Sequence, residues 1–423
     1  MEGITGIIAE YNPFHKGHSY QIKGARELTG DRYVLVIMSG DFVQRGAPAI
    51  FDKYSRTRMA LLGGADAVLE LPSYWACGSA EYFAKGAAEI LDALGCVDHL
   101  CFGSESGDID SLQEIGQVLA REPEGFQILL KKNLKKGFSF PLARKKALTE
   151  YLGSLSSESS HGQINIQEIL RLLDSPNNLL GIEYCKALCR LDSRIIPVTI
   201  RREGSGYHEE SISSSMPSAT ALRRALIGTK EKETSLSRLL SHAQPDSVAA
   251  FTEKLLSSQC PVTEEDFSLL LKCQLLLHSP EELAAFADVS LDLARRIRRE
   301  LNHFASFSQF IFLLKTREMT YTRISRALLH ILLSITQEDL AGTPGYVRLL
   351  GFRKKSTPLL RRLQDNSRIP IVTKAADYRK QLPKAQWRGF EKDLFCADLY
   401  ESVKVEKSQK AFVSDLQRSP VIL

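Results

Sequence analysis

GIIAEYNPFHKGHSY, residues Gly6–Tyr20, passes from an apolar run into a polar turn and out into a helix-like pattern. Ile4 to Tyr11 reads as a buried strand. Pro13 stops it, because proline removes a ladder donor. Gly17 lets backbone approach a ligand closely. His18 falls at the start of the next helix, where unpaired N–H groups and the helix dipole favour anions. Two imidazoles separated by a lysine and a glycine suit a phosphate group. A bare HxxH pair arises by chance; HxGH directly after a first strand, with Pro-Phe before it, is far more specific.

The same alternation continues downstream. Tyr33–Met38, Ala67–Leu71 and His99–Gly103 read as further strands, and His18–Leu28, Asp52–Leu62 and Ser79–Leu94 as helices. Strands alternating with helices at this spacing predict βαβ units, a parallel sheet and an α/β fold. The strand C-termini then share one edge, where ligands bind. A helical insertion is expected over 108–173, with Ser154–His161 as a loop by composition. Arg194–Ile200 returns to strand character. Gly204–Ser218 reads as a loop, and Ser218–Ile227 as a helix with a serine cap. Beyond about Glu231, Leu239–Leu256, Glu264–Leu277, Ser290–Leu301 and Tyr321–Leu333 show helical spacing. After Gly342 come strand-like fragments such as Ile369–Val372. The expected division is therefore 1–230, a helical domain over 231–340, and a C-terminal segment over 341–423, with no internal repeat.

The 423 residues are 43% hydrophobic and 25% charged, ordinary for a globular chain and unlike a disordered one. No apolar run nears the roughly 18 residues that span a bilayer. The first residues lack the basic start of a signal peptide. The eight cysteines include no CxxC pair, which predicts reduced, mostly buried thiols and a cytoplasmic protein. The net charge is +5, but Tyr346–Leu423 holds 17 basic and 8 acidic residues, so the rest of the chain is net negative. That asymmetry, with Phe352, Tyr378, Trp387 and Phe390 interspersed, predicts a polyanionic partner, nucleic acid above all.

HxGH after a first strand resembles the signature of the nucleotidyltransferase superfamily, which includes class I synthetases and small adenylyltransferases. The resemblance implies a Rossmann-like fold in which the catalytic residues His15 and His18 stabilise the pentacovalent transition state at the α-phosphate of ATP. Ser218-Ala219-Thr220-Ala221-Leu222-Arg223 resembles the superfamily's ISSTxxR element, whose helix N-terminus and arginine bind the triphosphate. Here an alanine stands where serine is frequent, which removes one hydroxyl. Longer strings narrow the resemblance: EYNPFHKGH, MSGDFVQRGAPA (Met38–Ala49), FGSE (Phe102–Glu105), SPNNLLGIEY (Ser175–Tyr184) and RLLGFRKK (Arg348–Lys355) are similar to the bacterial tRNA(Met) cytidine acetate ligase family.

That resemblance implies an ATP-dependent enzyme that makes acetyladenylate from acetate. It then acetylates N4 of the wobble cytidine of elongator tRNA(Met), releasing AMP and pyrophosphate, with no acetyl-CoA. It places ATP contacts on Ile7, Ile8, Ala9, Glu10, Tyr11, Asn12, Pro13, Phe14, His15, Lys16, Gly17, His18, Ser19 and Tyr20. Gly103, Asn177, Arg202, Ser218, Thr220 and Arg223 join them, with Arg201 not separable from Arg202. The tRNA candidates are Arg353, Lys354, Lys355, Arg361 and Arg362. Arg45, Lys53, Arg56 and Arg58 are candidates for tRNA phosphates or pyrophosphate, Asp52 with Arg56 being alternatively a helix surface pair. Tyr207 and His208 are candidates in the tRNA-facing loop. No dense carboxylate cluster accompanies Asp41, so Mg²⁺ is expected on the ATP phosphates rather than in a protein cage. The competing readings are a small-molecule adenylyltransferase and a non-catalytic RNA-binding protein.

Overall fold

The computed structural model describes residues 2–158, 166–202, 218–228 and 233–423. Its described strands are β1 (Ile4–Ala9), β2 (Tyr33–Ser39), β3 (Phe42–Val43), β4 (Ala47–Pro48), β5 (Ala67–Leu71), β6 (His99–Ser104), β7 (Ile196–Arg201), β8 (Val347–Phe352), β9 (Ile371–Val372) and β10 (Val421–Ile422). Two compact units form: residues 98–202 make one, and the segments on either side of it make the other.

In the larger unit the strand order is β10–β8–β5–β2–β1, with β9 beside β8. β1, β2 and β5 run parallel, Ile4 opposite Tyr33 and Leu35 opposite Ala67. Residues 33–39 and 67–71 are buried throughout. Both faces of these strands are covered, which is why they read as unbroken apolar runs. Helix α1 (Lys16–Thr29) follows β1, and α2 (Lys53–Leu62) precedes β5. The C-terminal segment is part of this sheet rather than an appendage: β8 runs antiparallel to β5, and β9 and β10 run parallel to β8. A basic residue in β8 is tolerated because Arg348 lies opposite Glu70 in the register and donates to Asp415.

The expected helices after residue 231 form, with two divisions; Glu264–Phe267 is a 3₁₀ turn that leads into the helix Ser268–Leu277. Leu239–Leu256 is two helices, Glu233–Ala243 and Asp246–Leu256, because Pro245 cannot continue the first and caps the second. The longest helix among the described residues, Trp387–Ser408, lies in the C-terminal segment, where only strand fragments were expected.

In the smaller unit β6 and β7 pair in parallel, His99 opposite Ile196. Between them run Ile109–Arg121, Glu124–Lys135, Phe140–Glu158, Ile166–Asp174 and Pro176–Arg190. The expected loop at Ser154–His161 is helical as far as Glu158. An established helix gains one bond per added residue and carries serines along, and Ser154 Oγ back-bonds to the Tyr151 carbonyl at 2.6 Å. Among the described residues no helix is long and apolar enough to cross a membrane. All eight cysteines are free thiols, five of them buried.

Candidate active site

β1 leaves the sheet at Ala9, and Tyr11 turns the chain with φ +48°. That left-handed conformation costs a non-glycine residue about 1–2 kcal/mol. The turn is held by its surroundings: the Arg56 guanidinium donates to the carbonyl of Glu10 at 2.6 Å, and Asn12 Oδ1 accepts the Ile50 N–H at 2.9 Å. Phe14 is fully buried on the end of α2, where a Cβ on Gly63 would lie 2.2 Å from its ring.

The two histidines start α1. His15 is the N-cap, and its Nδ1 accepts the Gly17 N–H at 3.0 Å. The His15 N–H donates to His18 Nδ1 at 3.2 Å. Imidazoles thus fill both places of a capping box, usually held by a hydroxyl and a carboxylate. Because each Nδ1 accepts, each neutral ring carries its proton on Nε2. The rings stack 3.7 Å apart. Tyr11 and Phe14 pack against His18 at 4.8 and 5.4 Å. The result is a pair of aligned N–H donors at a helix N-terminus.

Residues from far along the chain grip this turn. Ser218 Oγ accepts the Ala221 N–H at 3.2 Å and caps the helix Ala219–Gly228. From that helix Arg223 donates to the Asn12 carbonyl at 2.7 Å and to Thr220 Oγ1 at 3.0 Å. Gln244, wholly buried, donates to the Phe14 carbonyl at 2.7 Å. Lys16 Nζ donates to the Ser241 carbonyl at 2.9 Å. The structure therefore brings His15, Lys16, His18, Ser218, Thr220 and Arg223 around one turn. Ile7 and Ile8 are core side chains, so only their backbone can serve a ligand. Ala9, Glu10, Gly17 and Ser19 are half-buried, Pro13 is buried and Tyr20 is exposed.

The smaller unit gathers its own candidates. A Cβ on Gly103 would lie 3.3 Å from Arg202, whereas Arg201 lies over Gly107. Asn177 Nδ2 donates to Glu105 at 2.7 Å, and the Asn178 N–H donates to the same carboxylate at 2.9 Å. Asn178 Oδ1 in turn accepts the Glu105 N–H at 2.9 Å. Glu105 thus ties the loop after β6 to the N-terminus of Pro176–Arg190.

Several cations offered to phosphate by the sequence are occupied. Arg56 is fully buried and also donates to carbonyls of Phe51, Ser39 and Gly40. Asp52 pairs with Ser55 and Lys404, not with Arg56. Lys53 Nζ lies 2.8 Å from Glu70 and 3.0 Å from Asp415. Arg353 donates to the Leu61 carbonyl at 2.9 Å, and Arg362 to the carbonyls of Glu2 and Cys96. Lys354, Lys355 and Arg361 are exposed, as is Arg45. Asp41 accepts the Lys53 N–H at 2.7 Å, and burial pushes its carboxyl up to about 7. Among the described residues no group of three or more His, Cys, Asp or Glu is placed to hold a metal ion. Tyr207 and His208 lie outside the described residues.

Arg56 and Gln244 had no sequence signal for these positions, since both bind backbone carbonyls of a remote segment. Glu105 stood in the FGSE string without a role.

A parallel sheet whose first strand feeds a histidine-capped helix defines the class, and the family described as HIGH Nucleotidyl Transferase matches residues 1–415. Within it, the chain belongs to the tRNA(Met) cytidine acetate ligase family. The ligase of that name from Acetivibrio thermocellus is 40% identical, over 94% of each chain. That from Clostridium kluyveri is 40% identical, over 99% of each. A crystal structure of Thermotoga maritima TmcAL bound with alpha-thio ATP superposes with a TM-score of 0.88 at 31% identity, covering 100% of this chain and 99% of that one.

Proposed function

We propose that the protein uses ATP to join acetate to N4 of the wobble cytidine of elongator tRNA(Met), through acetyladenylate. The observation that carries this reading is the stacked His15–His18 pair, with its Nε2 donors at the start of α1. Acetate is ionised at neutral pH, so its attack on the α-phosphate needs no general base. The barrier lies in joining two anions and in the charge that develops on the phosphorus oxygens. Fixed donors and a helix N-terminus stabilise that charge without reorganising.

Arg223 serves the leaving pyrophosphate, exchanging the Asn12 carbonyl for a phosphate oxygen. Lys16, at the first helical position, adds charge beside it. Gly103, Asn177 and Arg202 are assigned further nucleotide contacts, supported by the family resemblance and by the clustering of Gly103 with Arg202. Magnesium enters as the counter-ion of the ATP phosphates, part of the substrate. The second step needs the cytidine amine at the acyl carbon, so the base leaves its stack. Water must be kept from the mixed anhydride meanwhile. Exposed Lys354, Lys355 and Arg361 supply phosphate contacts that position the tRNA. A tRNA substrate places the enzyme in the cytoplasm.

The test incubates the protein with ATP, Mg²⁺, ¹⁴C-acetate and tRNA lacking acetylcytidine, then digests the tRNA to nucleosides. ATP-dependent label in N4-acetylcytidine is the expected result. No label, and no acetate-dependent ATP–pyrophosphate exchange, overturns the reading in favour of another nucleotidyl acceptor.

A further inference from the structure

Between α2, the helix Asp246–Leu256, the helix Trp387–Ser408 and the residues that follow it lies a cavity of about 380 Å³, to which the histidine turn contributes no lining residue. Its volume falls within the range of small-molecule sites. One wall is apolar, from Val405, Val413 and Val421. The Arg58 guanidinium lies 5.4 Å over the ring of Phe251. Guanidinium planes backed in this way are platforms on which nucleobases stack.

The charges around the cavity are unevenly matched. The carboxylates that line it, Asp52 and Glu401, are both taken up: Lys404 bonds to both, and Arg418 donates to Glu401 at 2.9 Å. Lys410 is exposed and has no carboxylate partner among the described residues, and the partner of Arg58 is a ring. Two cations are thus left over beside a flat platform and an apolar wall. A simple anion would leave that wall bare, and a neutral ring would leave the cations unmatched.

We propose that this cavity takes one unpaired ribonucleotide, its base against Arg58 and its phosphate at Lys410. The chemistry is that of a nucleoside phosphate. Its source is a nucleotide of the tRNA substrate, a choice that rests on the function proposed above. The site is separate from the adenylation site, and would hold the RNA while the acyl group is made and transferred.

The test uses the full chain with Lys410→Glu and, separately, Arg58→Ala. Three quantities are measured: filter binding of tRNA(Met) against salt, equilibrium dialysis of CMP, and acetate-dependent ATP–pyrophosphate exchange. Lys410→Glu should weaken tRNA binding roughly tenfold and reduce the salt slope by about 0.7–0.9, one phosphate contact. Arg58→Ala should weaken it several-fold, with exchange unchanged in both. Loss of CMP binding with tRNA affinity intact overturns the RNA source and assigns the site to a free nucleotide. Unchanged binding of both ligands in Lys410→Glu, an exposed position that folds normally, overturns the proposal. A wild-type protein that exchanges nothing overturns the ligase reading instead, and leaves the CMP measurement to decide the cavity.

Discussion

Each imidazole of the His15–His18 pair uses Nδ1 to finish the helix and carries its proton on Nε2, so fold and chemistry are coupled within one ring. The two roles can be separated. Glutamine at position 18 keeps an acceptor for the His15 N–H, as glutamine does at this place in capping boxes, but its amide N–H groups hang on a flexible chain and are not fixed, as Nε2 is, by a ring stacked on His15. His18→Gln should therefore change stability by less than about 0.5 kcal/mol, while exchange falls about 10²–10³-fold, the usual loss for one transition-state donor. His18→Ala should lose both, the cap costing about 1 kcal/mol. Chemical denaturation alongside exchange kinetics reads the two effects; wild-type exchange in His18→Gln would remove the ring from the reaction. The pair was legible in the sequence because its two capping hydrogen bonds span at most three residues. Gln244 was not, because its partner, the Phe14 carbonyl, is 230 positions away. Arg56 was visible only as a cation in a helix, and a guanidinium that satisfies four carbonyls looks in a sequence like any other arginine.

Among the elements, the buried parallel strands were the most legible, since apolar runs bounded by turns leave few alternatives. The Pro245 break carried its own signal. Trp387–Ser408 did not, because its buried face includes Asp393, Glu401 and Lys404, which blur the helical period. These polar groups are paired: Asp393 accepts the Ser73 N–H at 2.7 Å, and Lys404 joins Glu401 to Asp52. The contact of α2 with the histidine turn is where an element sets the site. Gly63 ends α2 with φ −77°, so a side chain there meets no backbone strain and the objection is purely one of space. Gly63→Ala would drive a methyl into Phe14, the residue before the cap. Overpacking of this kind costs about 1–3 kcal/mol. Displacement of the turn should lower exchange well beyond that of a surface variant of equal stability. Phe14→Leu in the same chain should restore both stability and part of the exchange. A double variant no better than Gly63→Ala would mean that the clash is relieved elsewhere.

For the whole molecule, the decisive contact joins the two ends of the larger unit. Asp415 accepts from Lys53 on α2 at 3.0 Å, from Tyr54 at 2.7 Å and from Arg348 on β8, and Lys53 also binds Glu70 on β5. All four charged groups are buried. The C-terminal turn thereby neutralises two cations that the sheet and α2 could not otherwise bury. Removing one member of a buried ionic group leaves the others uncompensated, so Asp415→Ala should cost about 3–5 kcal/mol. The same geometry fixes the sign of the acid response. Burial alone would raise the Asp415 carboxyl, but Lys53 and then Arg348 outweigh it and hold it below the usual carboxylate range. A carboxyl lowered on folding adds stability above its unfolded value, near pH 4, and that stability is lost as pH falls through the folded value. Asp41, raised by burial to about 7, has the opposite sign: its contribution declines as pH climbs from about 4 towards 7. Asp415→Asn abolishes the first titration and leaves the second. Denaturation midpoints of that variant should thus lie below wild type at pH 7 and approach it as the pH falls below 4, giving a shallower acid limb. Parallel curves for the two proteins down to pH 2 would show that Asp415 is not charged in the folded chain, and that Lys53 and Arg348 are balanced by Glu70 instead.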